Sequence, residues 1–360
     1  MKIIQLITTI AYGDAVGNDA FAIMRVLREL GYETGIYAEN IDDKLEKSQF
    51  VKHVSELPEL EKNDIVIFNH STGTELCYSL PKIKARKMMI YHNITPPEYF
   101  SMYNKSAEKV CAYGYEGTGR LSGEIEYVIA DSKYNAEDLK KMGYKCPMFV
   151  RPILIPFDDY KKDPDETVID RYTNDGYVNI VFVGRVAPNK KHEDIIAAFA
   201  YYKRHINARS RLILVGSDGN MEQYSAALKG YVDALCLNDV IFTGQVKFNA
   251  ILAYYRIADI FLCMSDHEGF CVPLVEAMFF KVPIIAYNSS AIEETLGGSG
   301  FLIDSKDPVF TAKLIDKIIK NKELRDSIIK EQSERLKYFS YDNMREKLLE
   351  GLTKFIDKTY

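Results

Sequence analysis

Residues 259–290 read DIFLCMSDHEGFCVPLVEAMFFKVPIIAYNSS, and the order of patterns in them decides the fold. "DIFLCMS" (259–265) is a short apolar run. "PLVEAMFF" then starts a helix with Pro273 in its first turn, where a missing N–H costs little. "PIIAYN" (283–288) is apolar again. Nearly continuous apolar strands joined by a helical crossover predict a parallel sheet covered on both faces.

The same alternation runs outward in both directions. "NIVFVGR", "RLILVGS", "VIFTGQV" and "GFLID" complete the strands of the C-terminal half. "KIIQLIT", "ETGIYAE", "DIVIFNH", "KMMIYHN" and "EYVIADS" do the same in the N-terminal half. Between the first two of these, Phe21, Met24, Leu27 and Leu30 mark one face of a helix. The stretch "IPFDDYKKDPDETVIDRYTNDGY" (155–177) has no strong period and is rich in Asp, Pro and Lys, so it reads as a linker. A chain of 360 residues is too long for one ordinary core. The expected architecture is therefore α/β, with two doubly wound Rossmann-like domains facing across a cleft. The boundaries are 1–165 plus 341–360 for the N-terminal domain and 166–340 for the C-terminal one.

Bulk properties remove several function classes. With 47% hydrophobic and 27% charged residues the chain is globular rather than disordered. A net charge of −5 argues against nucleic acid as the partner. The six cysteines form no C-x-x-C pair, so neither a zinc site nor a disulfide framework is expected, and a reducing compartment fits. The opening "MKIIQLITTIAYGD" reads as a first buried strand rather than a signal peptide. No apolar run is long enough to span a membrane. The expected location is cytoplasmic.

Open parallel sheets bind ligands beyond the carboxyl ends of their strands, so the loops there hold the candidates. In "YGDAVGND" (12–19), Gly13 and Gly17 flank a turn that opens a helix, a place where amides can approach an anion. A dehydrogenase would want an acid closing the second strand, and Glu39 could serve. "VFVGRVAPNKKHEDIIAAFA" (181–200) puts Arg185 at a strand end and Lys190 and Lys191 where the next helix opens. Two such cations suit one phosphate. The alternative is a surface Arg185 paired with Glu193 or Asp194. Glu268 lies in a loop before Gly269, and Glu276 lies one turn into a helix that otherwise reads as core. A nucleotide diphosphate-sugar explains both, with one carboxylate for ribose hydroxyls and one for the sugar, and with the diphosphate between them held by the cations. The competing reading, Glu276 capping its own helix, explains one carboxylate but not four charges on neighbouring loops.

Taken in order, "GRVAPNKKHEDIIAAF", "TGQV", "SDHEGFCVPLVEAM" and "VPIIAYNSSAIEETLGGSGFLID" resemble family 4 retaining glycosyltransferases of the GT-B fold, whose signature is the spaced pair E-x7-E. The likeness covers residues 180–305 and thins toward the N terminus. It implies that Glu276 binds the ribose and Glu268 the donor sugar, while Arg185 and Lys190 (or Lys191) stabilise the diphosphate. Gly269 and Phe270 join the donor site. Gly244 and Gln245, with "GSDGN" (216–220), would border the base. In the N-terminal half Gly17 resembles the glycine that meets the diphosphate, and His92 the histidine near the donor sugar. Lys191, Cys271 and Lys281 stand where the family usually has glycine. The implied reaction is front-face transfer with retained configuration, without metal or other cofactor, from a nucleotide diphosphate-sugar (UDP or GDP) to a carbohydrate or lipid-linked acceptor in cell-surface glycan synthesis. "FDD" (157–159) reads as solvated linker charge, not a metal pair. A sugar-nucleotide epimerase on the same fold and a nucleotide-sugar-binding regulator are the alternatives. Peripheral association with the inner membrane face is a hypothesis resting on Lys82, Lys84, Arg86 and Lys87 or on residues 99–115.

Overall fold

The computed structural model describes residues 1–11, 13–45 and 48–358. Tyr12 of the first glycine turn and residues 359–360 of the C-terminal stretch lie outside them. Two compact units divide the chain: Met1–Glu98, Ser106–Pro156 and Phe339–Tyr360 form the first, and Tyr99–Lys105 and Phe157–Tyr338 the second.

The first unit is built on β1 (Lys2–Ile10), β2 (Glu33–Ile41), β3 (Val51–His53), β4 (Ile65–His70), β5 (Arg86–Tyr91), β6 (Tyr127–Ala130) and β7 (Met148–Val150). They form one sheet in the order β3-β2-β1-β4-β5-β6-β7, and every neighbouring pair is parallel. Successive β1 side chains feed two cores. Ile4 and Leu6 join Val66, Phe68 and Met89, whereas Ile7 and Ile10 join Ala20 and Met24. Burial on both faces is what gives β1 its almost unbroken apolar run. Gln5 interrupts that run at little cost, because its amide donates to the Ala20 carbonyl at 2.8 Å and accepts from Asn69 at 3.2 Å.

The second unit holds β8 (Val178–Val183), β9 (Ser210–Val215), β10 (Val240–Phe242), β11 (Ile260–Cys263), β12 (Ile284–Tyr287) and β13 (Phe301–Ile303). Their order is β10-β9-β8-β11-β12-β13, again parallel throughout. The direction of strand order reverses between β8 and β11. The crossovers leaving those two strands therefore run in opposite directions along the sheet, and in open α/β sheets such a reversal is where ligands bind.

Several expectations need correction. The short strands β3 and β7, of three residues each, are not anticipated by the sequence reading. The buried face of helix Ala15–Glu29 includes Ala20, Ile23, Met24 and Leu27, while Leu30 closes the helix and is exposed. Within the presumed linker, Glu166–Tyr172 is a helix capped by the Asp165 carboxylate. Residues 157–165, assigned by pattern to the N-terminal domain, belong to the second unit. Phe157 and Tyr160 anchor them there by packing on Phe279, with ring centroids 5.6 and 5.4 Å away. In the basic stretch 82–87, Arg86 is turned inward, donating to the Phe355 carbonyl at 2.7 Å, so it adds nothing to a membrane-facing patch. No helix among the described residues is long and apolar enough to cross a membrane.

Candidate active site

The loops after β8 and β11 are tied together at the reversal point. The Asp266 amide donates to the Asn189 carbonyl at 2.8 Å, and the Asn189 side chain donates to the His267 carbonyl at 3.0 Å. The β8 loop is also pinned to the β9 loop, with the Val186 amide on the Ser217 carbonyl at 2.9 Å. Gly216 permits this approach, since a Cβ there would lie 2.0 Å from the Gly184 carbonyl oxygen. Backbone thus fixes where the charges stand before any side chain is considered.

Lys190 and Glu268 meet across this junction. The ammonium lies 2.6 Å from both carboxylate oxygens, and both side chains are largely buried. Burial works against the ammonium, but the charge of Glu268 more than offsets it, so Lys190 holds its proton above the ordinary lysine value. Spacing alone pictured the two as separate ligand contacts; instead they neutralise one another. The Glu268 amide is in turn held by Ser290 Oγ at 2.8 Å.

Arg185 differs. Its side chain is exposed and has no hydrogen bond or ion pair among the described residues. The partners considered for it are taken: Glu193 by Tyr224 and Lys191, and Asp194 by Lys306 at 2.8 Å. Lys191 takes the left-handed conformation at φ 52° and faces Glu193 and Asp266 at 3.5 and 3.6 Å. Of the two lysines, Lys190 is thus the one seated against Glu268.

Glu276 does not cap its helix, Val272–Phe279, which begins at Cys271 without a side-chain cap. Its two oxygens accept hydrogen bonds from Tyr160 at 2.8 Å and Tyr255 at 2.7 Å. Burial pushes the carboxyl above its usual range, and both hydroxyls pull it back down. A carboxylate has about four lone-pair sites. The tyrosines occupy two and fix its plane, leaving two for a vicinal diol. Phe270 is buried, with its carbonyl accepting from Thr295, and Gly269 is partly exposed. Gly244 bridges to Gly216 at φ 65°, and Gln245 beside it is exposed.

The remaining candidates lie in the first unit. The Gly17 amide is occupied, donating to Asp14, the cap of its helix, at 3.2 Å. Two residues on, Asp19 forms a fully buried fork with Arg151, at 2.8 and 2.6 Å. His92, at the end of β5, lies 2.8 Å through Nδ1 from Asp131 at the end of neighbouring β6. Burial disfavours the imidazolium, yet the Asp131 charge and hydrogen bond raise His92 above its ordinary value. Its Nε2 is buried and has no partner among the described residues. Sequence reasoning missed Tyr160, Tyr255, Ser290, Asp131, Asp19 and Arg151. Asp131 and Ser290 had a signal available, each following a strand that is read from the sequence.

This arrangement, two charged loops meeting at the reversal of a doubly wound parallel sheet, is that of one unit of the GT-B fold. The family model for glycosyl transferases group 1 matches residues 166–335, just under half of the chain. The chain is 27% identical over 267 residues to an uncharacterised glycosyltransferase of Methanocaldococcus jannaschii, covering 71% of this chain and 65% of that protein. It is 32% identical over 148 residues to a GDP-mannose-dependent alpha-mannosyltransferase of Mycolicibacterium smegmatis, covering 39% and 34% respectively. The chain thus spans just under two thirds of the first relative's length and about a third of the second's. The fold matches that of Anabaena HepE, solved with UDP and with UDP-glucose, with a TM-score of 0.76 over 98% of this chain and 100% of that one at 18% identity.

Proposed function

We propose that the chain is a retaining glycosyltransferase that moves a hexose from a UDP- or GDP-sugar to a hydroxyl of a carbohydrate or lipid-linked acceptor, in the building of cell-surface glycans. The observation that carries this reading is the unpaired Arg185 on the same loop as the Lys190–Glu268 pair, at the reversal point of the sheet. A solvent-facing guanidinium with no carboxylate partner among the described residues favours an anion over a neutral substrate. The names of the two relatives and the nucleotide in the HepE structures point the same way.

In this reading the ribose diol takes the two free lone pairs of Glu276, and backbone near Gly244 and Gln245 borders the base. Arg185 receives the diphosphate. Lys190 turns part of its charge from Glu268 to the phosphate as the C1–O bond to the leaving group breaks. Glu268, with Gly269 and Phe270 beside it, then offers its carboxylate to the sugar hydroxyls. The acceptor oxygen bonds to C1 on the face the phosphate leaves, and its proton passes to a phosphate oxygen. These steps need neither an enzymic nucleophile nor a metal. The roles of Gly17 and His92 are proposed from the resemblance alone.

The test is a thermal-shift panel of UDP, GDP, ADP and CMP with EDTA, on wild type and on Glu276→Gln. Ligand bound only by the native state raises the midpoint with concentration. One diphosphate should stabilise wild type in EDTA and stabilise Glu276→Gln much less. Equal shifts in both proteins would remove Glu276 from the donor site, and no shift at all would remove the donor reading.

A further inference from the structure

We propose that Cys263, Glu268 and Cys271 form a binding site for one thiophilic divalent cation of the Zn2+ type, and that filling it blocks the donor site. The Sγ atoms of the two cysteines and a carboxylate oxygen of Glu268 all lie within 4.8 Å of one another, and all three residues are buried. A tetrahedral zinc ion with thiolate and carboxylate ligands needs donor separations of roughly 3.5–3.8 Å. The three donors therefore need to close by no more than about 1.3 Å, and they supply three of the four ligands.

Two independent observations point to a ligand. Cys271 sits at φ 75°, in the left-handed region, at the start of the Glu276 helix. That conformation favours glycine and costs a cysteine about 1 kcal/mol or more. The strained residue is the one that brings a second thiol beside Cys263. The other observation is charge. Two thiolates, one carboxylate and a dication sum to −1. The Lys190 ammonium, 2.6 Å from the carboxylate, brings the total to zero. Glu268 has two oxygens, so one can take the cation while the other keeps Lys190, the kind of outer partner that usually holds a metal-binding carboxylate. Binding releases one proton from each thiol to solvent and breaks no covalent bond between heavy atoms.

The block on the donor site rests on the proposed function, since a tethered Glu268 and Lys190 could no longer turn to sugar and phosphate. The binding itself does not. The reduced full-length protein is titrated with Co2+, whose thiolate charge-transfer absorption reports sulfur ligation, and the signal is then competed away with Zn2+. Wild type should show a saturable band at one equivalent. Cys271→Gly, a change that relieves the strained backbone, should lose the band and at least ~10-fold in Zn2+ affinity. Cys263→Ala should behave likewise. No band in wild type, or an equal band in Cys271→Gly, would overturn the site. Separately, Zn2+ should abolish the nucleotide-induced thermal shift of wild type and spare that of Cys271→Gly. If the band forms as expected but the shift survives Zn2+, the blocking role is overturned while the site stands. If no nucleotide shifts either protein, the donor reading fails and the cobalt titration still decides the site.

Discussion

Arg185 and Arg151 are both guanidinium groups near the carboxyl end of a parallel sheet, and they live in opposite surroundings. Arg185, in the second unit, is exposed with no partner among the described residues, whereas Arg151, in the first, is fully buried in a two-pronged pair with Asp19. Asp19 also accepts the Leu154 amide at 2.8 Å, so that its carboxylate is satisfied by both side chain and backbone of the segment 151–154. A charge left open to solvent at a strand end is available to a ligand. A charge sealed inside must be satisfied by the protein itself, and it serves the position of what surrounds it.

That contrast predicts which change harms stability and which harms turnover. Arg151→Ala leaves the Asp19 carboxylate buried and uncompensated, and removing one partner of such a pair costs about 3–5 kcal/mol. Unfolding in urea should show a loss of that size. A change under 1 kcal/mol would mean that the pair carries little of the first unit's stability. Arg185→Ala should leave unfolding unchanged and lower kcat/KM by about 10²–10³-fold, the usual size of one lost transition-state donor. If Arg185→Ala instead unfolds the protein without altering turnover per folded molecule, the contrast between the two arginines collapses.

The difference also explains what could be read from sequence. Glu268, Glu276, Arg185 and Lys190 were legible because strand ends in an open parallel sheet mark the site, and because their order and spacing are local properties of the chain. All six strands of the second unit were legible for the same reason. Tyr160 and Tyr255 were not, since they reach Glu276 from separate segments with no motif of their own. Nor was the mutual pairing of Lys190 and Glu268, because spacing shows which charges share a neighbourhood but not which of them neutralise each other. Asp19 and Arg151 are separated by most of the first unit's sequence, and nothing local marks either as buried.

His92 gives a subtler way to sharpen the comparison. It is sealed like Arg151, yet its Nε2 has no protein partner among the described residues. Its folded value lies above the ordinary 6.5, chiefly through Asp131 working against burial. A raised value means that folding favours the protonated form. The stabilisation is complete below pH 6.5 and disappears as pH climbs through the raised folded value. The unfolding free energy of wild type relative to His92→Gln should therefore decline from pH 6.5 upward, no more steeply than about 1.4 kcal/mol per pH unit, the limit for one proton. A flat difference across that range would mean that His92 is folded in its neutral form.

The smallest effect concerns positions where the chain departs from the pattern of the glycosyltransferases it resembles. Lys191, Cys271 and Lys281 stand at usual glycine positions, and all three have positive φ, at 52°, 75° and 58°. The glycine preference there is thus a backbone requirement. Lys281 isolates it, because it closes the Glu276 helix with a paired motif: its amide donates to the Met278 carbonyl at 3.1 Å, and the Val282 amide to the Ala277 carbonyl at 2.9 Å. Lys281→Gly relieves about 1–2 kcal/mol of left-handed strain but frees the unfolded chain by roughly 0.4–1 kcal/mol. The net gain should be under about 1 kcal/mol in urea unfolding, with nucleotide-induced shifts unchanged. Cys271→Gly relieves the same strain but also removes a thiol from beside Glu268, so only that variant should change the response to Zn2+. If Lys281→Gly altered that response equally, the Zn2+ effect would belong to the helix that both residues flank and not to the thiol.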